Sequence, residues 1–110
     1  MKSEIVFADS KTKKAFESLR MTTTEDKKLY DSLVEAFEEL EKNAFLGIQI
    51  QKRLIPREYI RKFGKLDNLW KYNLHGGWRL MYTVKKDNVL ILSIILEWLD
   101  HKNYERRFKY

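Results

Sequence analysis

Lys71 and Arg79 fall on the same side of two alternating segments, residues 70–74 and 78–84, joined by His75-Gly76-Gly77. Trp70, Tyr72 and Leu74 share one face of the first segment, and Trp78, Leu80, Tyr82 and Val84 share one face of the second. Period-two alternation around a Gly pair is the pattern of a β-hairpin with one buried face. The opposite face carries Lys71, Asn73, Arg79, Met81 and Thr83. A hairpin that hides its aromatics and shows Lys and Arg offers a surface for an anion, and a guanidinium can grip a phosphate at two points. Two more residues capable of chemistry lie near the end of the chain. His101 is one of only two histidines, a side chain type that titrates near neutral pH, and Tyr104 carries a phenol. The other histidine, His75, is read as a turn residue. One histidine in a turn and one in the tail make no recognised metal spacing.

These residues need elements to hold them. Residues 2–8 read as a short strand with Ile5 and Phe7 on one side. Asp9 or Ser10 can cap a helix reaching about Arg20, with Ala15, Phe16 and Leu19 as its apolar stripe. Thr23 and Asp26 resemble a capping box ahead of a second helix, residues 25–43, whose stripe is Leu29, Leu33, Ala36, Phe37, Leu40 and Ala44. Residues 49–55 read as extended. Pro56 fits the first position of a short helix that Gly64 closes. After the hairpin, a turn at Lys86-Asp87-Asn88 leads into a last strand, residues 89–98. Leu90, Leu92, Ile94, Leu96 and Trp98 form its apolar face, and Ser93 and Glu97 interrupt the other. A strand apolar on both sides belongs in the middle of a sheet. The expectation is a single α+β domain over residues 1–110, a small, mostly antiparallel sheet of about four strands with an N-terminal helical hairpin on one face. The other face is expected to stay open, with Lys71, Asn73, Arg79, Ser93 and Glu97 pointing there.

At 110 residues a chain can bury roughly 60–70% of its unfolded surface, enough for one core without staples. The absence of cysteine excludes disulfides and thiolate zinc sites. Only four apolar residues follow the N-terminal Met-Lys-Ser-Glu, too few for a signal-peptide core. The longest apolar run, residues 89–96, is far short of the ~20 residues a membrane span needs. The expectation is a soluble cytoplasmic protein. Its formal net charge is +6, unevenly spread. Residues 25–42 hold seven acids and three bases. Residues 52–65 hold six bases (Lys52, Arg53, Arg57, Arg61, Lys62 and Lys65) and one acid. The last ten residues, with Lys102 and Arg106, add four bases and one acid. Such polarity suits a polyanion on one side, although a solvated Lys/Glu-rich surface has the same composition.

The order of elements, with Leu69-Trp70-Lys71-Tyr72 on the first hairpin strand, Trp78-Arg79-Leu80-Met81-Tyr82 on the second, and His101 and Tyr104 after the last strand, resembles the RelE/ParE toxin superfamily. The resemblance covers most of the chain and is strongest over residues 68–104. The insert at residues 49–64 is less typical and points to an archaeal-like branch. The resemblance implies a type II toxin, a metal-independent, ribosome-dependent mRNA endoribonuclease that promotes attack of the RNA's own 2′-hydroxyl on the adjacent phosphate. It implies no cofactor, no membrane, and a small cognate antitoxin with an acidic segment. Arg79 occupies the family's phosphate-clamping position and Tyr104 its tail tyrosine. His101 then serves as an acid or base, Lys71 as added charge stabilisation, and Tyr104 stacks on a base or moves a proton. Lys52, Arg53, Arg57, Arg61, Lys62, Lys65, Lys102 and Arg106 are the expected contacts to ribosomal RNA.

One departure stands out. RNA-cleaving relatives often carry a second arginine near the end of the last strand, where this chain reads Ile95-Leu96-Glu97-Trp98. That leaves Lys102 or Arg106 to rebuild the phosphate site, and it keeps two rivals in play: a ParE-like topoisomerase inhibitor without nuclease activity, and a non-toxic RNA-binding remnant. Glu97 is also a candidate ion-pair partner that would make Arg79 a merely structural residue. The hairpin aromatics Trp70, Tyr72, Trp78 and Tyr82 are read as core, since a base-stacking platform would have to face outward.

Overall fold

The structure is a computed structural model that describes residues 1–109. Its elements run β1 (Glu4–Phe7), α1 (Ser10–Ser18), α2 (Thr24–Lys42), β2 (Ile48–Gln49), α3 (Arg57–Phe63), β3 (Trp70–Asn73), β4 (Arg79–Lys86), β5 (Ile91–Leu99) and α4 (His101–Phe108). The fold is α+β, with one five-stranded sheet in the order β1-β5-β4-β3-β2. β1 lies parallel to β5, and every other pairing is antiparallel. β5, apolar on both sides, takes an interior position. The expected strands are joined by β2, a two-residue edge strand against β3. No helix among the described residues is long and apolar enough to cross a membrane.

Local signals set the helix starts. Asp9 caps α1 by accepting the Thr12 N–H at 2.7 Å. Thr23 caps α2 by accepting the Asp26 N–H at 3.1 Å. The reciprocal half of the capping box does not form, because the short Asp26 side chain instead accepts from the Thr22 hydroxyl. Leu29, Leu33, Ala36, Phe37 and Leu40 of α2 pack on one sheet face with Leu74, Leu80, Tyr82, Val84 and Ile95; Trp70, Tyr72 and Trp78 lie half-buried around them. The hairpin's aromatic side therefore meets the helical hairpin as its alternation requires.

The opposite face is not open. A second core of Ile50, Tyr59, Leu69, Met81, Leu96, Leu99, Tyr104 and Phe108 covers it. α3 and α4 lie over that half of the sheet, so only its rim keeps Lys71 and Arg79 within reach of water. Met81, in a polar-looking row of the hairpin, is fully buried there. Two of the residues expected on that face lie elsewhere or are occupied. Ser93 is buried, bonded to the Ser3 hydroxyl at 2.9 Å, and paired in register with Ile5 and Val84 of the first core. Glu97 is held by Arg107.

The last strand changes phase partway along. Tyr82 pairs with Ile95 but Met81 pairs with Glu97, leaving Leu96 as a bulge. A bulge shifts the side-chain alternation by one residue, so Ile94 and Leu96 join the second core while Trp98 packs on the first. A strict period of two had put Trp98 with Leu96. Three other boundaries differ. β5 begins at Ile91, because Asp87 accepts the Val89 and Leu90 N–H groups and prolongs the turn. Residues 52–54 form a 3-10 turn rather than extended chain. Pro56 is the N-cap of α3, one position before the helix.

Candidate functional site

Lys71, Arg79, His101 and Tyr104 meet at one end of the second face. β3 carries Lys71 and β4 carries Arg79, two register positions apart on adjacent strands. α4 brings the other two. Asp100 caps this helix by accepting the Asn103 N–H at 2.8 Å, which fixes its first turn beside the hairpin. Tyr104 and Phe108, buried and one turn apart with ring centres 4.6 Å from each other, anchor it to the sheet. His101 lies on the same helix with its side chain exposed.

The Tyr104 ring is the hub. Lys71 Nζ donates to Tyr104 Oη at 3.1 Å and sits 5.0 Å from the ring centre, and the Arg79 guanidinium carbon lies 5.1 Å from the same centre. Cation–π attraction places both charges beside one buried aromatic. With that ring only 4% exposed, it has no face to offer an incoming base, so the stacking role expected for Tyr104 is ruled out by packing. Its hydroxyl and its electrostatic hold on the two cations remain.

Arg79 is aimed by its own turn. One terminal nitrogen donates to the Gly77 carbonyl, and the other faces His101 Nδ1 at 3.4 Å. Gly76 and Gly77 both have left-handed backbone, φ 74° and 82°, a conformation that admits glycine at little cost. Arg79 Nε is buried without a hydrogen-bond partner among the described residues. Glu97, the acid proposed to neutralise Arg79, pairs with Arg107 at 2.7 Å. Among the described residues no carboxylate forms an ion pair with Lys71 or Arg79. Two cations held close with no acid between them create a local positive potential able to take an anion.

The second cation of the site is therefore Lys71. Lys102 and Arg106, the alternatives for the missing strand-end arginine, are exposed on α4, and neither shares the Tyr104 ring. The remaining basic residues Lys52, Arg53, Arg57, Arg61, Lys62 and Lys65 are all exposed around α3. Lys62 and Lys65 line a cavity of about 360 Å³ with Asp9, Thr83, Lys85 and Leu96. Lys85 is six residues along β4 from Arg79, roughly 20 Å at strand rise, so the α3 bases form a flank and not a part of the quartet.

Farther along α4, Tyr59 packs against Phe108 and under the Arg107 guanidinium, and its Oη is buried without a hydrogen-bond partner among the described residues. Its burial, and secondarily the Glu97 carboxylate nearby, push the hydroxyl well above the usual tyrosine range. Sequence reasoning missed Gly77, Glu105 and Arg107. The signals for the last two were helical spacing, Glu105 one turn after His101, and the need of a half-buried Glu97 for a cation. Gly77 carried no signal beyond its place in a turn. No group of three or more His, Asp or Glu side chains able to hold a metal occurs among the described residues.

No protein-family model, curated protein or solved structure matches this chain.

Proposed function

We propose that the chain is a RelE-type toxin, an endoribonuclease that cuts mRNA on the ribosome without a metal and is neutralised by a small antitoxin with an acidic segment. The supporting observation is the convergence of Arg79, Lys71, His101 and Tyr104 from two strands and a helix, with neither cation held by a carboxylate among the described residues.

In this reading Arg79 and Lys71 bind the non-bridging oxygens of the scissile phosphate, where charge builds in the transition state. Phosphate binding takes the Arg79 N–H away from His101, and Nδ1 accepts the proton of the 2′-hydroxyl. The 2′-oxygen then bonds to phosphorus and the bond from phosphorus to the 5′-oxygen breaks. The leaving oxygen takes a proton from the Lys71 ammonium, which Tyr104 holds in place. The products are a 2′,3′-cyclic phosphate and a 5′-hydroxyl. Water returns the proton from His101 to Lys71. The exposed bases of α3 and α4 supply salt-dependent attraction to ribosomal RNA.

The test is regulated expression followed by mapping of mRNA ends. Growth arrest with codon-phased cuts and cyclic phosphate ends, reproduced by the purified protein on ribosomes, is the expected result. Filamentous cells with damaged DNA and intact mRNA would favour a ParE-like topoisomerase inhibitor instead. The absence of any phenotype would favour an RNA-binding remnant.

A further inference from the structure

His101 has different neighbours at its two ring nitrogens. Nδ1 faces an Arg79 nitrogen at 3.4 Å. Nε2 meets the carboxylate of Glu105, four residues on and on the same face of α4. A guanidinium can only donate and a carboxylate can only accept. Opposite Arg79, Nδ1 must present its lone pair. Opposite Glu105, Nε2 must present a proton. The two contacts, made to different parts of the chain, select the same neutral tautomer.

We infer that Glu105 is the positioning residue of this site, fixing His101 as the Nε2–H tautomer so that the Nδ1 lone pair faces the Arg79 guanidinium. The inference rests on the nuclease reading for its catalytic consequence, but its geometry belongs to the protein alone.

The parts form a chain of four: the Gly77 carbonyl, the Arg79 guanidinium, the His101 imidazole and the Glu105 carboxylate. The Gly77 backbone packs close to His101, since a Cβ built there would lie 3.7 Å from His101 Cβ. The hairpin turn and the start of α4 thus fix one another. The wrong tautomer would put a proton on Nδ1 against Arg79 and leave no lone pair for a 2′-hydroxyl. A histidine that takes a proton also becomes a cation, and a carboxylate already on its far nitrogen stabilises that charge as it forms. A nucleophile, a base and a third group orienting the base is a general arrangement for activating a hydroxyl; here the nucleophile belongs to the RNA. Glu105 touches neither substrate nor reacting atoms and acts only through His101.

Structural stability is a poor explanation for the pair. Both side chains are about two-thirds exposed, 63% and 64%, and an exposed ion pair of this kind contributes little to folding. Substituting Glu105 therefore leaves a folded chain in which the site can be read.

The experiment uses the full chain labelled with ¹⁵N-histidine, observed where the rings are neutral, with His75→Gln to assign the two histidines. The wild-type protein is expected to show His101 with a lone-pair-type Nδ1 and a protonated Nε2. In Glu105→Ala the two nitrogens should move toward averaged values. The same variant should lose roughly 10- to 100-fold in kcat, part of the roughly 10²–10⁴ that a general base contributes, with KM unchanged. Glu105→Gln, which keeps an oxygen acceptor but not the charge, should restore the tautomer and only part of kcat. A wild-type His101 protonated at Nδ1 overturns the inference, as does a Glu105→Ala protein with wild-type tautomer and kcat. A wild-type chain that cuts no RNA defeats the nuclease reading, while the nitrogen shifts still decide the tautomer.

Discussion

Arg79 bears the most chemical weight per atom in this chain, and its surroundings say how it should respond to substitution. Its guanidinium is steered by Gly77, His101 and the Tyr104 ring, and it has no acidic partner among the described residues. Arg79→Ala should abolish growth arrest and slow ribosome-dependent cleavage about 10²–10³-fold, the usual cost of one electrostatic group at a reacting phosphate. Circular dichroism and the melting temperature should change little, because the substitution breaks no ion pair and opens no core cavity. A wild-type cleavage rate in this variant would remove the proposed mechanism. Tyr104→Phe is a finer probe. It keeps the buried ring and both cation–π contacts but deletes the oxygen that holds Lys71. A fall in kcat with the fold retained is expected; unchanged kcat would mean that Lys71 needs no such hold. Arg79 and Lys71 were legible in the sequence because strand alternation assigns faces without tertiary information. Glu105 was not, since i,i+4 spacing on a helix is common and gains meaning only when the other end of His101 is seen to face Arg79.

At the scale of elements, α4 is the piece that brings His101 and Tyr104 against the Lys71 and Arg79 side of the hairpin and completes the candidate site. It is short, and it is held at three levels: the Asp100 cap, the buried Tyr104 and Phe108, and the Arg107–Glu97 pair. Glu97 and Arg107 retain only 17% and 31% side-chain exposure, so removing one partner strands a charge in a poorly solvated place. Arg107→Ala should destabilise the domain by about 2–4 kcal/mol, near the lower edge of what broken buried pairs cost. It should also loosen α4, so that cleavage falls although Arg107 lies outside the quartet. Denaturant unfolding and amide exchange along α4 would check both effects, and protection equal to wild type would show that the pair does not hold the helix. Periodicity found the strand that leads into α4 but could not see the bulge at Leu96, because a bulge leaves the composition of a strand unchanged while shifting its phase. Nor could it see that the supposedly open face carries a core. The helix that covers it, α3, buries Tyr59 from a stretch that reads as basic and polar.

On the scale of the whole molecule, charge and burial make separate demands. Apart from Arg107, the bases of α3 and α4 are exposed, while the seven acids of residues 25–42 all belong to α2, over the other sheet face. Affinity for ribosomes should therefore fall steeply with added salt as counterions are released, and a binding constant flat between low and physiological salt would count against that surface. Burial governs the alkaline limit of the fold. Tyr82 donates to the Ala44 carbonyl at 2.8 Å and accepts the Gly47 N–H at 3.1 Å; there is no room for a side chain at Gly47, where a Cβ would lie 2.5 Å from the Tyr82 oxygen and 2.6 Å from the Lys71 carbonyl. Burial pushes the Tyr82 hydroxyl up to about 12, and Tyr59 is raised further. An unfolded tyrosine loses its proton near pH 10, so between pH 10 and 12 the unfolded chain releases protons that the folded chain retains. The stability contributed by neutral Tyr82 is complete below pH 10 and is lost as pH rises through 12, with a slope approaching about 1.4 kcal/mol per pH unit. Tyr82→Phe deletes that titration. At neutral pH the variant should be about 1–2 kcal/mol less stable, because the Ala44 carbonyl and Gly47 N–H lose their shared partner. Above pH 10 its stability should fall less steeply than wild type and the two curves should converge. Urea unfolding at pH 8, 10, 11 and 12 measures this directly, and parallel curves would mean that the buried Tyr82 hydroxyl does not set the alkaline limit.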